Sequence, residues 1–234
     1  MKNSYFYVQL SAIVISAFVG IPSFSQAQAA TIMVEPDNYS LGTDIRSVFP
    51  GITLSVQGEP STKVIVVDGY STFVGTNVAT TGTKMFGQDP VSGTTIPDAE
   101  KNWGDNAIGL LRADFASPVN YVQIDLIFDD DDTGFLKAFN ASGNLLAIFM
   151  GQGDGRGASS PFCPPFCSPT VTASISRPTA DIAYILAGGI SGEAHYLDNL
   201  QVHAVPLPTA LWLFGSGLVG LFGFMRRDRI QRSI

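Results

Sequence analysis

The chain has 234 residues, enough for one domain with its own core plus targeting segments at its ends. Hydrophobic residues make up 45% of it, charged residues only 14%, and the formal net charge is −7 at pH 7, a balance that excludes nucleic acid and anionic lipid head groups as partners. Between residues 31 and 204, 8 basic residues stand against 19 acidic ones, a net of −11 that suits solubility outside the cell and the binding of cations.

Residues 1–30 read as a secretory signal peptide. Lys2 supplies the positive start, Val8 to Ile21 the apolar stretch, and Ala27-Gln28-Ala29 a small-x-small cleavage pattern with Ala30 as an alternative end. The short apolar stretch argues against an uncleaved anchor. An exported domain over 31–204 follows.

Within it, helical periodicity is nearly absent and turn residues abound, with 24 Gly and 14 Pro in the chain. Short β-branched and apolar runs between turn residues predict an all-β, antiparallel sandwich. Strands are expected at 32–35, 52–56, 63–67, 107–114, 120–128, 135–140, 145–149, 171–176, 182–187 and 196–202. The clearest is Tyr121 to Phe128, where Val122, Ile124, Leu126 and Phe128 alternate with Gln123 and Asp125, the latter two expected in solvent. Ala141-Ser142-Gly143-Asn144 supplies a hairpin turn.

Residues 70–106, poor in apolar pattern, are expected to form long decorated loops, the usual place for binding residues in β proteins. Trp103 lies there among Asn, Gly and Asp, and reads either as a sugar-stacking platform or as a ring packed on the rim of the core. Four consecutive carboxylates, Asp129 to Asp132, cannot be buried without a counter-cation. Asp129 and Asp131, followed by Thr133-Gly134, echo the first half of a calcium loop, but Asn140 stands where its bidentate Glu would be. The stretch is thus either a calcium site or a solvated loop. Cys163 and Cys167, in a Pro-rich loop of an exported chain, are expected to form a local disulfide.

Enzyme signatures are missing from the exported part: there is no Gly-x-Ser-x-Gly elbow, no zinc helix, and no nucleophilic cysteine arrangement. Of the two histidines, His195 reads as a strand residue beside Tyr196 rather than a base. No carboxylate pair is singled out for glycoside hydrolysis.

The C-terminal stretch carries a stronger signal. Val205-Pro206-Leu207-Pro208 precedes an uncharged apolar run from Thr209 to Met225, about the minimum length for a transmembrane helix. Arg226-Arg227-Asp228-Arg229 follows, placing the end of the chain in the cytoplasm by the positive-inside tendency and leaving 230–234 as a cytoplasmic tail. This region, 205–229, closely resembles the PEP-CTERM sorting signal of Gram-negative bacteria, with Leu207 where the name-giving motif has Glu. The resemblance implies recognition by exosortase, a membrane-embedded cysteine protease, cutting near Val205 to Pro208, and delivery to the cell surface or extracellular matrix. Those residues, with Arg226 and Arg227, are then a substrate site and not a catalytic one.

Four further stretches, Leu111 to Val119, Lys137 to Leu146, Ile182 to Gly189 and His195 to Val202, resemble the jelly-roll domains common in PEP-CTERM proteins, which are similar to carbohydrate-binding modules. That resemblance implies a structural calcium ion on Asp198, with Glu35 or Asp37 from the first strand. The expected function is a non-catalytic structural or adhesive sandwich at the surface or in the matrix. The alternative is a calcium-dependent carbohydrate-binding module for exopolysaccharide, and the third a glycoside hydrolase.

Overall fold

The computed structural model describes residues 30–72, 76–89, 99–104, 109–128, 132–153, 169–190 and 195–204. Its strands, in chain order, are β1 (Ala30–Val34), β2 (Ile52–Gln57), β3 (Val64–Asp68), β4 (Tyr70–Ser71), β5 (Thr76–Asn77), β6 (Lys84–Gln88) and β7 (Leu110–Val119). Then come β8 (Tyr121–Phe128), β9 (Thr133–Phe139), β10 (Leu145–Gln152), β11 (Thr170–Ser176), β12 (Ile182–Gly189) and β13 (His195–Ala204). One 3-10 turn, Pro36–Asn38, follows β1.

Two antiparallel sheets face each other. One runs β11-β8-β13-β6-β3, with β1 also paired to β13; the other runs β10-β9-β12-β7-β2; β4 and β5 form a small ribbon apart. The predicted all-β sandwich is what forms, and the alternation in β8 explains its core: Val122, Ile124, Leu126 and Phe128 all point between the sheets. They meet Leu111 and Ala113 of β7, Leu136 and Ala138 of β9, and Ile185 and Ala187 of β12. The hairpin turn forms as read, with Gly143 at φ 80° and the Asn140 side chain accepting from the amides of Ser142 and Asn144.

Two expectations fail here. Residues 70–106 are not simply loops: they contain β6, which lies between β13 and β3 inside a sheet. The six-stranded sheet is covered on its outer face as well, where Ile65, Val67, Val78, Met85, Ile127 and Tyr196 form a second apolar cluster. A strand covered on both faces loses its alternation, and in β6 both Met85 and Phe86 are fully buried. Gly87 adds to the disguise, since a Cβ there would come within 2.3 Å of Val67. Asp125, expected in solvent, is buried too, between neighbours in its own sheet: it accepts from Thr172 Oγ1 at 2.7 Å and Asn199 Nδ2 at 3.0 Å.

Of the two readings of Trp103, packing is the one that forms, and deeper than the rim. Its ring is 0% exposed and belongs to the main core, so it offers no face to a sugar. The indole Nε1 donates to Phe86 O at 3.0 Å, its backbone amide donates to His195 O, and its carbonyl accepts from the amide of Gly189. Trp103 thus ties its own segment to β6 and β13 of one sheet and to β12 of the other. His195 is likewise a core residue, edge-on to Phe128 with ring centroids 5.6 Å apart.

Residues 1–29, the acids 129–131, Cys163, Cys167 and everything from Val205 onward lie outside the described residues, and with them the expected disulfide, acidic loop, signal peptide and apolar run. Among the described residues no helix is long and apolar enough to cross a membrane.

Replacing Trp103 by Phe leaves the Phe86 carbonyl without its buried donor and should destabilise the domain by about 1–3 kcal/mol; Trp103→Ala should cost about 3–5 kcal/mol. Urea unfolding of the purified domain, followed by circular dichroism, checks both. A near-neutral Trp103→Ala would mean that the ring is not in the core.

Candidate functional site

The polar centre of the fold is built around Asp198. On its far side from β8, β13 changes partner: Leu197 pairs with Phe86 of β6, while Leu200 to Ala204 pair with Val34 to Ala30 of β1. Between them β13 bulges, with a register shift after Asp198 and Asn199 at φ 51°, in the left-handed region that Asn tolerates. The bulge leaves a gap where the end of β1 and the turn before β6 converge. The Asp198 carboxylate fills it, with no solvent exposure.

Both carboxylate oxygens are used. Oδ2 accepts from the amides of Thr80 (2.8 Å) and Thr81 (3.0 Å) and lies 3.0 and 3.2 Å from their hydroxyls; Oδ1 accepts from the Asn199 amide at 2.8 Å. Thr81 Oγ1 also lies 2.9 Å from Glu35 Oε2. Its single proton serves one carboxylate at a time. Glu35 caps the 3-10 turn, and Asp37 within that turn accepts from the Thr83 amide through Oδ1. Asp37 Oδ2 is a buried oxygen without a hydrogen-bond partner. Lys84 Nζ donates to the carbonyls of Asp37 and Tyr39, tying this segment to β6.

Glu35 and Asp198, paired in the sequence reading, are therefore brought together, and Asp37 joins them. Thr80 and Thr81 were not foreseen, because a hydroxyl or amide that binds a carboxylate across 117 or more residues leaves no local pattern, whereas Asn199 is the immediate neighbour of Asp198. Burial holds the Asp198 carboxyl above its ordinary range against the pull of its donors. Burial also raises Glu35, reinforced by the charges of Asp198 and Asp37 and opposed by the Thr81 hydroxyl. As they stand, no three His, Cys, Asp or Glu side chains among the described residues gather around one point in the manner of a metal cage. Glu35, Asp37 and Asp198 are near neighbours without forming a cage, and one buried carboxylate oxygen among them, Asp37 Oδ2, has no hydrogen-bond partner.

A second feature lies on the outer face of the five-stranded sheet. Phe139 and Tyr184 stack at 4.8 Å with planes 6° apart, and the Arg112 guanidinium covers the other face of Tyr184 at 3.8 Å. Arg112 grips Asp114 through Nε (2.7 Å) and Nη2 (2.6 Å). Asp114 borders an open cleft of about 450 Å³, lined also by Ser47, Phe49, Pro50, Thr53 and Phe115. The stack holds Arg112, and Arg112 holds Asp114 at the cleft.

Donors face Asp198 on both sides, so Asp198→Asn, which must aim an NH2 at one of them, should lose roughly 1–3 kcal/mol. A carboxyl whose folded value is raised contributes stability that is complete below its unfolded value and lost as pH rises through the folded one. The wild type should therefore gain melting temperature on acidification toward about pH 4 relative to the variant, and the gap should widen. Parallel calorimetric melts across pH check the sign; a gap that narrows on acidification would contradict it.

Comparison with known proteins adds the following. No curated protein matches the chain in sequence. In fold it is similar to the K2 cleaved adhesin domain of Lys-gingipain, at 10% identity and TM-score 0.46 over 75% of this chain and all of that one. The K1 cleaved adhesin domain of Lys-gingipain from Porphyromonas gingivalis W83 gives 10% identity and TM-score 0.44, over 75% and 98%. The CBM22-1 xylan-binding domain from Paenibacillus barcinonensis Xyn10C gives 11% and 0.36, over 72% and 94%. Residues 204–227 match the family model described as the PEP-CTERM protein-sorting motif. The chain therefore carries a PEP-CTERM sorting motif that begins on the last residue of β13, a signal that implies export and membrane-associated sorting.

Proposed function

We propose that this protein is exported, processed by exosortase close to Pro208, and delivered to the cell surface or extracellular matrix as a non-catalytic structural or adhesive sandwich. The observation that carries the reading is the motif at 204–227, joined without a linker to a complete sandwich. Two acids fit a non-catalytic role: Asp198 accepts from donors on both oxygens within the fold and Asp114 is held by Arg112, so neither is poised to give or take a proton from a substrate. In a host with exosortase, intact-mass measurement should find a product ending near Pro208, and Pro206→Ala with Pro208→Ala should retain the full tail while leaving membrane insertion unchanged. A wild-type tail that persists in that host means that Leu207 disables the signal and the protein is simply membrane-anchored.

The cleft beside Asp114 favours a second reading, a carbohydrate-binding module for exopolysaccharide. An apolar floor with hydroxyl and carboxylate groups on its rim suits a neutral sugar residue, while the acidic domain repels anionic polymers. Calcium belongs to this reading as a structural ion at Glu35, Asp37 and Asp198, where it would relieve the crowding of three carboxylates. A glycan array should then show binding by the wild type that Asp114→Ala loses, and EDTA should lower the melting temperature of the wild type but not of Asp198→Ala. Silence across the array retires the glycan reading, and an EDTA-insensitive melt retires calcium.

A further inference from the structure

We propose that the processing site extends back into the fold: His203 and Ala204 are a cryptic part of it, and the end of β13 must fray before the tail can be cut. The inference rests on the processing reading above. Proteases bind a substrate as an extended strand laid along an edge of their own. The residues just upstream of the motif have no edge to offer. On one side Gln201, Val202 and His203 pair with Gln123, Val122 and Tyr121 of β8. On the other side Gln201, Val202, His203 and Ala204 pair with Met33, Ile32, Thr31 and Ala30 of β1.

The tether gives no room to avoid this. Only Val205 to Pro208 separate Ala204 from the apolar run beginning at Thr209, and four residues span at most about 14 Å when fully extended. An enzyme embedded in the membrane that grips residues on both sides of its cut must therefore meet the folded sandwich. The cut is an acyl transfer: the scissile C–N bond breaks, the nitrogen leaves as the amine of the membrane segment, and the acyl group passes through the enzyme thiol to water or an acceptor amine.

The structure also sets how far the strand can open. Ala204 and His203 are held by terminal ladder pairs and by one stacking contact, Tyr121 on His203, with centroids 4.3 Å apart and planes 26° from parallel. Val202 is 0% exposed and packs in the main core. Fraying through His203 breaks end pairs only, the least protected kind of structure, whereas fraying through Val202 opens the core. The latch is thus two residues long, with Tyr121 as its catch, and cutting proceeds at a rate proportional to the fraction of molecules in which it is open.

A pulse–chase in a host with exosortase, read by intact mass, tests the latch with full-length chains. Inserting about eight Gly/Ser residues between Ala204 and Val205 frees the motif from the fold and should speed conversion several-fold. Tyr121→Ala should speed it as well, and a Thr31→Cys, His203→Cys pair, cross-linked across the register, should slow it until reduced. Conversion of the insertion variant at or below the wild-type rate, with wild type still processed, overturns the latch while leaving the processing reading intact. A tail retained in every variant and in wild type overturns both.

Discussion

The architecture depends on one buried carboxylate at a change of strand partner. β13 is hydrogen-bonded to β8 on one edge, and on the other edge it is shared by two strands that arrive from different parts of the chain. Wherever a strand exchanges one neighbour for another, backbone amides are left facing a gap, and an amide buried without an acceptor is destabilising. Asp198 answers this by turning its side chain sideways into the gap, so that a single side chain satisfies the turn at Thr80 and Thr81 and its own bulge at Asn199. The penalty is a desolvated charge, visible in the raised carboxyls of Asp198 and Glu35. A neutral residue would avoid the charge but could not accept on both sides.

The fold was legible in the sequence wherever one face of a strand meets solvent or the partner sheet carries the contrast. β8 shows this best: its inward residues alternate, and all four are in the core. Legibility ended where the sheet is covered on both sides. β6 has no alternation to read, and Asp125 is buried between sheet neighbours that sequence periodicity cannot announce. Trp103 was ambiguous for a related reason, since its polar neighbours describe the loop that carries it and not the cavity that receives its ring. The Glu35–Asp198 pairing came from the resemblance of the closing strand rather than from any local pattern. The threonines that complete the clasp contact it only after the chain has folded back on itself.

The two polar features have different characters. At Asp198 the carboxylate is enclosed and three of its partners are backbone amides, so its geometry is fixed largely by the backbone around it. At Asp114 the partner is a side chain, and Arg112 is itself held by stacking on Tyr184, so the carboxylate stays half-exposed yet oriented. The enclosed carboxylate stabilises the fold and the oriented one faces a cleft. That division puts the enclosed carboxylate and the solvent-facing one in separate parts of the sandwich.

The pairing of β1 with the last residues of β13 has a mechanical consequence. If the protein is held by its C-terminal end, as proposed above, any pull on it passes through the residues after Ala204 and runs along β13. Because β13 lies inside its sheet, tension loads the ladders on both of its edges in shear, so many hydrogen bonds resist together rather than opening one after another as they would in a peeled outer strand. Six residues up the same strand, the Asp198 clasp ties the load to the turn before β6. The strand that delivers the chain to its sorting motif is also the one best placed to bear its tether.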